Sequence, residues 1–392
     1  MNFPHLASRL ENIAPFHVME LAKMAADLEA QGRHIIHMGI GEPDFSVAPA
    51  VIEAATRAMS TGQTRYTSAV GLPALREAIS DHYRRSYQLD ISPTRIIVTA
   101  GASGALLLAC AALVEKGAEV LMPDPSYPCN RHFVAAFDGI ARMVASGPED
   151  RFQLSDAMVH AHWAENTRGV LLASPSNPTG TTIAPDELKK IVETVRGKDG
   201  FTIVDEIYQG LTYGAAPFSA LSLGEDVIVI NSFSKYFSMT GWRLGWLVVP
   251  EALVPQMEKL AQNLFICSSA VAQHAGLACF LPESLAIYEL RRQEFQRRRD
   301  FIVPALERLG FTVPVMPDGA FYVYADCSTL SDDADALTIT MLNEAGVVMV
   351  PGLDFGPSTA QRYIRVSYAT SMENLREAVQ RLERFFAHRP SR

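Results

Sequence analysis

Between residues 96 and 249 the chain repeats one pattern, a short apolar run followed by a longer amphipathic segment. The runs 96–99, 119–122, 169–173, 202–204, 227–230 and 244–249 carry few or no polar residues. A strand with one face in water alternates apolar and polar side chains, so runs of this kind predict strands of a parallel sheet covered by helices on both faces. One covering helix is predicted over 185–195, where Pro185 and Asp186 suit a helix start. The fold class is therefore α/β. Beyond residue 250 the pattern turns helical, over 252–265, 270–280 and an Arg-rich stretch at 284–309. The rest predicts a smaller α+β unit, with strands near 311–315, 320–324 and 363–366 and helices near 335–344 and 373–386. A helix over 18–31, ended near Gly32, is expected to join it. The expected division is a large domain over 48–285 and a small one made of 1–47 with 286–392.

Composition narrows the partners. The chain has 392 residues, 48% of them hydrophobic, enough to bury a large core, and a formal net charge of −9 from 34 basic and 43 acidic residues. That balance supplies no long-range attraction for nucleic acid or an anionic membrane surface. Arg291, Arg292, Arg297, Arg298 and Arg299 form the most basic cluster, but Glu289, Glu294 and Asp300 are interleaved at helical spacing, so a solvated helix face is expected. The five cysteines are odd in number and scattered, which predicts reduced thiols and neither a disulfide framework nor a metal site. Residues 1–5 open no basic-then-apolar signal, and no stretch of about 18 uninterrupted apolar residues occurs. A soluble, cytoplasmic protein is expected.

Four segments carry chemistry. The strongest is SFSKYFSMTGWRLG at 232–245, which lies between two predicted strands. Lys235 sits among hydroxyl residues, and Arg243 is bracketed by glycines that let backbone approach a ligand closely. A lysine forms Schiff bases, a hydroxyl bonds phosphate, and a guanidinium meets phosphate with two parallel N–H groups, a combination that suits pyridoxal 5′-phosphate (PLP). In VDEIY at 204–208, Asp205 closes an apolar strand at the end where parallel sheets bind ligands. An Asp there also suits a helix cap. Opposite a pyridine nitrogen at about 4 Å, however, its charge contributes roughly 4 kcal/mol at an effective dielectric near 20, enough to hold the proton that makes the ring an electron sink. SPSNPTG at 174–180 reads by itself as a turn, and it also offers the Asn177 amide to the phenolic oxygen of such a cofactor, with Tyr208 donating from another side. TAGASGA at 99–105 runs from a strand into an apolar helix, whose first N–H groups bind anions without a charged side chain. Tyr127, in PSYP at 125–128, suits ring stacking or a place in the core.

In this order and spacing the segments resemble the class I aminotransferases of the aspartate aminotransferase superfamily, PLP enzymes of fold type I, over essentially the whole chain. The resemblance implies that Lys235 anchors the cofactor and moves the proton between the substrate's α-carbon and the cofactor. It further implies that Asp205 pairs with the ring nitrogen, Asn177 and Tyr208 contact the phenolic oxygen, Tyr127 stacks on the ring, and Ala102, Ser103, Ser232 and Arg243 hold the phosphate. Outside the sheet, Arg365 in RYIRVSY at 362–368 resembles the arginine that grips the substrate's α-carboxylate, and Gly41 in GIGEPDF at 39–45 the glycine that assists it. Tyr66, in RYTSAVG at 65–71, matches a tyrosine that reaches the neighbouring subunit's phosphate, so a homodimer with shared sites is implied.

The expected reaction is ping-pong transfer of an amino group from an L-amino acid to a 2-oxo acid such as 2-oxoglutarate. Some aspartate-specific members carry lysine where this chain has Ser103, and related ones carry Trp where it has Tyr127, which points to a neutral donor, aliphatic or aromatic. β-Elimination from cysteine conjugates on the same scaffold stays open. A ligand-sensing regulator with an added DNA-binding domain is not expected, since the GIGEPDF motif arrives within the first 50 residues and the chain lacks a basic patch.

Overall fold

The computed structural model describes residues 6–387 except 16, 215 and 359. Its strands are β1 (Ile36–His37), β2 (Ile96–Thr99), β3 (Glu119–Asp124), β4 (Ile140–Ala145), β5 (Thr167–Ala173), β6 (Phe201–Asp205), β7 (Ile228–Ser232), β8 (Gly245–Val248), β9 (Tyr322–Asp326), β10 (Val347–Val348), β11 (Val350–Pro351) and β12 (Tyr363–Ser367). Helices used below are α1 (His17–Ala30), α2 (Gly101–Leu113), α3 (Pro185–Arg196), α4 (Pro282–Arg308) and α5 (Met372–Ala387).

Seven strands form one sheet in the order β2-β8-β7-β6-β5-β3-β4. Alternate residues of its strands fall into two separate cores. Val170, Leu172 and Val204 pack on one face, while Leu171 and Ile203 pack on the other. Both faces are covered, which is why these strands read as continuous apolar runs. Helix α2, apolar on nearly every side, lies within the second of these cores.

The sheet departs from the sequence reading at two strands. Strand β8 runs antiparallel to both β2 and β7. Strand β4 was not anticipated: it pairs only with β3, only Val144 of its side chains is buried, and Arg142 interrupts the apolar run that marks the inner strands.

The remaining strands form a two-stranded parallel pair, β1-β10, and a three-stranded antiparallel sheet, β11-β12-β9. The strand expected at 311–315 is reduced to a single bridge between Thr312 and Asp326, since Pro314 has no N–H to continue a ladder. The strand expected from 320 starts at Tyr322, because Ala320 has a left-handed backbone with φ +56°. The helix expected at 335–344 is α-helical only over Ala334–Thr340 and then widens to a π-turn over Met341–Ala345. Helix α1 stops where expected, at Gly32 with φ +86°. Among the described residues no helix is long and apolar enough to cross a membrane.

The arginine cluster is not a uniformly solvated face. Arg297 behaves as expected, exposed and paired with Glu294 at 2.8 Å. Arg298 turns inward, its side chain 4% exposed, and pairs with Asp44 Oδ1 at 2.7 Å and Glu294 Oε1 at 3.0 Å. The Phe45 ring packs against the guanidinium groups of both Arg291 (5.1 Å) and Arg298 (4.9 Å). Helix α4 thereby holds the 39–45 loop through charge and ring contacts that its own spacing does not reveal. Replacing Arg298 with Met is expected to lower unfolding stability by about 2 kcal/mol, since Asp44 loses a buried cation. Arg297→Met should change it by less than about 0.5 kcal/mol. Denaturant midpoints for the two variants check the contrast, and equal shifts would contradict the inward role.

Candidate active site

Parallel pairing sets the ends of three strands side by side: Ala173 on β5 lies opposite Asp205 on β6, and Asp205 opposite Ile230 on β7. The chain that leaves these ends supplies Asn177, Tyr208 and Lys235, and a cavity of 340 Å³ opens there. Ten of the twelve sequence-predicted site residues line it: Gly41, Ala102, Ser103, Tyr127, Asn177, Asp205, Tyr208, Lys235, Arg243 and Arg365.

Two of these have strongly altered acidities. Burial pushes the Asp205 carboxyl up to about 7, although the Ile207 N–H at 3.0 Å and the charge of Lys235 work in the opposite direction. Burial lowers the Lys235 ammonium to about 8; Glu42 and Asp205 raise it while Arg365 and Arg243 lower it further. Lys235 Nζ donates to the Gly41 carbonyl and lines the cavity, and its lowered pKa brings the neutral amine within reach near physiological pH.

One end of the cavity suits an anion. Helix α2 begins there with no side-chain cap and no acidic residue in its first turn, and Ala102 and Ser103 of that turn face the space. A Cβ on Gly101 would meet the Arg243 guanidinium at 2.7 Å, so only glycine admits the guanidinium so close to the helix start. Ser232 does not line the cavity: its hydroxyl bonds Ser234 Oγ at 2.9 Å and the Leu244 carbonyl at 3.1 Å, and Ser234 takes the lining position. As the last residue of β7 it points into the turn it stabilises. Tyr66 is 82% exposed and outside this cavity.

At the other end Arg365, on β12, crosses from the small sheet to the large one. Its Nη1 donates to Asn177 Oδ1 at 2.8 Å and its Nη2 to the Gly39 carbonyl at 2.7 Å, while its buried Nε has no partner. With Asn177 Oδ1 accepting, the amide's NH₂ stays available as a donor. Sequence reasoning missed Tyr322, whose hydroxyl bonds that of Tyr208 at 2.9 Å. A Cβ on Gly41 would come within 2.7 Å of the same hydroxyl, a close approach that explains the glycine. Also missed were Phe355, whose ring lies 4.9 Å from the Arg365 guanidinium, and Val18, Met19 and Ala22 of α1, which wall the cavity. These are apolar residues in ordinary elements, without a local signal.

The family described as aminotransferase class I and II matches residues 33–382. This chain is a class I/II aminotransferase. It is 36% identical to a valine–pyruvate aminotransferase of Mycobacterium tuberculosis over 94% of this chain and 96% of that one. It is 34% identical to a (5-formylfuran-3-yl)methyl phosphate transaminase of Methanocaldococcus jannaschii, over 97% and 99%. The Thermus thermophilus aspartate aminotransferase solved with maleate superposes with a TM-score of 0.92 at 33% identity, covering 97% and 100%. The family is PLP-dependent and of fold type I, in agreement with the mostly parallel sheet and the small sheet beside it.

The acidities have a sign that can be tested on the cofactor-free chain. Asp205 binds its proton more tightly folded than unfolded, so its contribution to stability falls as pH rises from 3.8 to about 7. Lys235 releases its proton more readily when folded, so its contribution rises from about 8 to 10.5. Asp205→Asn is expected to flatten the fall on the acid side and leave the alkaline rise. Unfolding midpoints measured across both windows check this, and an unaltered acid limb would contradict it.

Proposed function

We propose that this aminotransferase moves the amino group of a neutral L-amino acid, aliphatic or aromatic, to a 2-oxo acid such as 2-oxoglutarate by a ping-pong cycle, with PLP held in the cavity described above. The observation that carries this reading is the convergence of Lys235, Asp205 and Arg365 on one cavity that Val18, Met19, Ala22 and Phe355 also line.

The residues present fit PLP. A buried carboxylate at Asp205 is costly without a cation, and a protonated ring nitrogen opposite it would satisfy that need. The uncapped start of α2, Ser234 and Arg243 suit the phosphate, Tyr127 the ring face, and the Asn177 amide with Tyr208 the phenolic oxygen. Bound there, PLP supplies the electron sink for charge left at the substrate's α-carbon.

The chain's own groups do the rest. Arg365 binds the α-carboxylate with its guanidinium fork, aided by the Gly41 backbone, and so orients the α-hydrogen. Lys235 Nζ, whose neutral form burial makes more accessible, takes that proton and later redelivers it as general acid. Among the described residues, the only lysine or arginine side chains lining the cavity are Lys235, Arg243 and Arg365. Each has a task in this scheme, and Val18, Met19 and Ala22 line the same cavity, which suits an apolar donor side chain. The valine–pyruvate name of one relative supports a neutral donor, although other relatives of similar identity bear aspartate names.

The reading also takes 48–285 as the cofactor-bearing body, and 1–47 with 286–392 as a smaller one that carries Arg365 and closes over substrate. It takes the protein as a cytoplasmic homodimer, supported by five free thiols and by the exposure of Tyr66, a residue suited to the neighbouring subunit's phosphate.

Purified protein with added PLP is expected to show an absorbance band that neutral donors, added without an oxo acid, convert stoichiometrically and aspartate converts far more slowly. A preference for aspartate would overturn the donor class, and a persistent band with accumulating oxo acid and ammonia would indicate elimination. Lys235→Ala should retain PLP and lose turnover. Arg365→Gln should raise the KM of every amino acid by roughly 100-fold, the loss of a charge-assisted pair.

A further inference from the structure

Helix α1 walls the cavity with Val18, Met19 and Ala22, and it packs through part-buried side chains, Val18 on one core cluster and Met24 and Leu28 on another. Only Leu21 and Ala25 of its fourteen residues are buried. Together with Ile35, Leu342 and Val348 they form a small core cluster. An element with so few buried apolar contacts is set by its polar ties. Several lie at its N-terminus, where His17 Nε2 meets Asp335 Oδ1 at 2.8 Å and the Asp354 carboxylate takes both leading amides: Oδ1 accepts from His17 N at 2.9 Å and Oδ2 from Val18 N at 2.8 Å. A capping group normally belongs to the residue just before the helix; this one comes from more than 330 residues further along.

Asp354 is itself firmly placed. It is 5% exposed and ends the turn Gly352–Asp354, directly after β11, where Val350 pairs with Arg365. Its carbonyl accepts from Arg131 Nη2 at 2.9 Å, and the next carbonyl, of Phe355, accepts from Ser126 N at 2.8 Å. The Asp354 carboxylate therefore ties α1 to a turn that follows the strand pair carrying Arg365, and the backbone carbonyls of that turn tie it to the 126–131 segment that carries Tyr127.

We propose that Asp354 is a positioning residue that fixes α1 as the wall against which the substrate's side chain packs, and so sets the preference for bulky apolar donors. The inference rests on the aminotransferase reading of the site. Its test uses the PLP-loaded protein and two readouts, hydrogen exchange of the α1 amides and the half-reaction with alanine, leucine and phenylalanine. Asp354→Ala is expected to speed exchange over 17–25 and to lower kcat/KM for leucine and phenylalanine roughly tenfold relative to alanine, through KM. Asp354→Asn, which keeps one acceptor oxygen, should fall between. His17→Pro removes one of the two amide donors at a helix position that tolerates proline, and should shift the donor ratio the same way with Asp354 intact. His17→Ala, which keeps that amide, separates loss of the His17 side chain from loss of the bond. Faster exchange with an unchanged donor ratio would overturn the specificity role, and unchanged exchange would overturn the tie itself. Wild-type protein that converts none of the three donors would instead remove the reading of the site, and this inference with it.

Discussion

Parallel register is the constraint on which the site depends. The pairing of β5, β6 and β7 places Ala173, Asp205 and Ile230 in one row, and every group that emerges beyond that row does so within reach of its neighbours. Had β6 slipped by one residue, Asp205 would point to the opposite face of the sheet and the cavity would lose its carboxylate. That slip is resisted by the cores on both faces, because Ile203 and Val204 would each exchange a fitted apolar neighbourhood for another. Packing far from the chemistry thus fixes where the chemistry happens.

The second sheet contributes through Arg365. Its guanidinium reaches Asn177 on the large sheet's loop and Gly39 on the loop held by Arg298 and Asp44, so three separate pieces of chain meet at one side chain. Arg365 and Arg243 both depress the Lys235 ammonium, while Asp205 and Glu42 oppose them. The amine's basicity is accordingly a property of both sheets together, and any movement of β12 relative to β7 alters it.

Much of this was legible in the sequence because the informative residues are local. Apolar runs marked the buried strands, and the segments around Lys235, Asp205 and Asn177 each state their chemistry within a few residues. What escaped depends on contacts between distant parts of the chain. Strand β4 pairs on one side only and lacks an uninterrupted apolar run; β8 reads like the parallel strands of the sheet because burial on both faces hides direction. Arg298 has acidic neighbours at helical spacing, as an exposed residue would, and only Asp44 and Phe45 reveal that it turns inward. Ser232 has the residue type for a phosphate contact but ends a strand facing Leu244, and Ser234 takes its place on the cavity wall. Tyr322 and Asp354 carry no local signal, since their partners lie more than 100 residues away.

The direction of β8 has a consequence for how the chain tolerates change in length. Elsewhere in the sheet consecutive strands are joined by crossovers such as α3, whose far ends lie away from the cavity and leave room for added residues. Between β7 and β8 there is no crossover: Ser232 pairs directly with Gly245, and the residues between them form a closed excursion at the ligand end that bears both Lys235 and Arg243. An inserted residue there changes the span between those two side chains unless the exposed tip at Gly241 takes it up. Within this sheet, then, length is most free in the helical returns and most constrained in the excursion that returns without one.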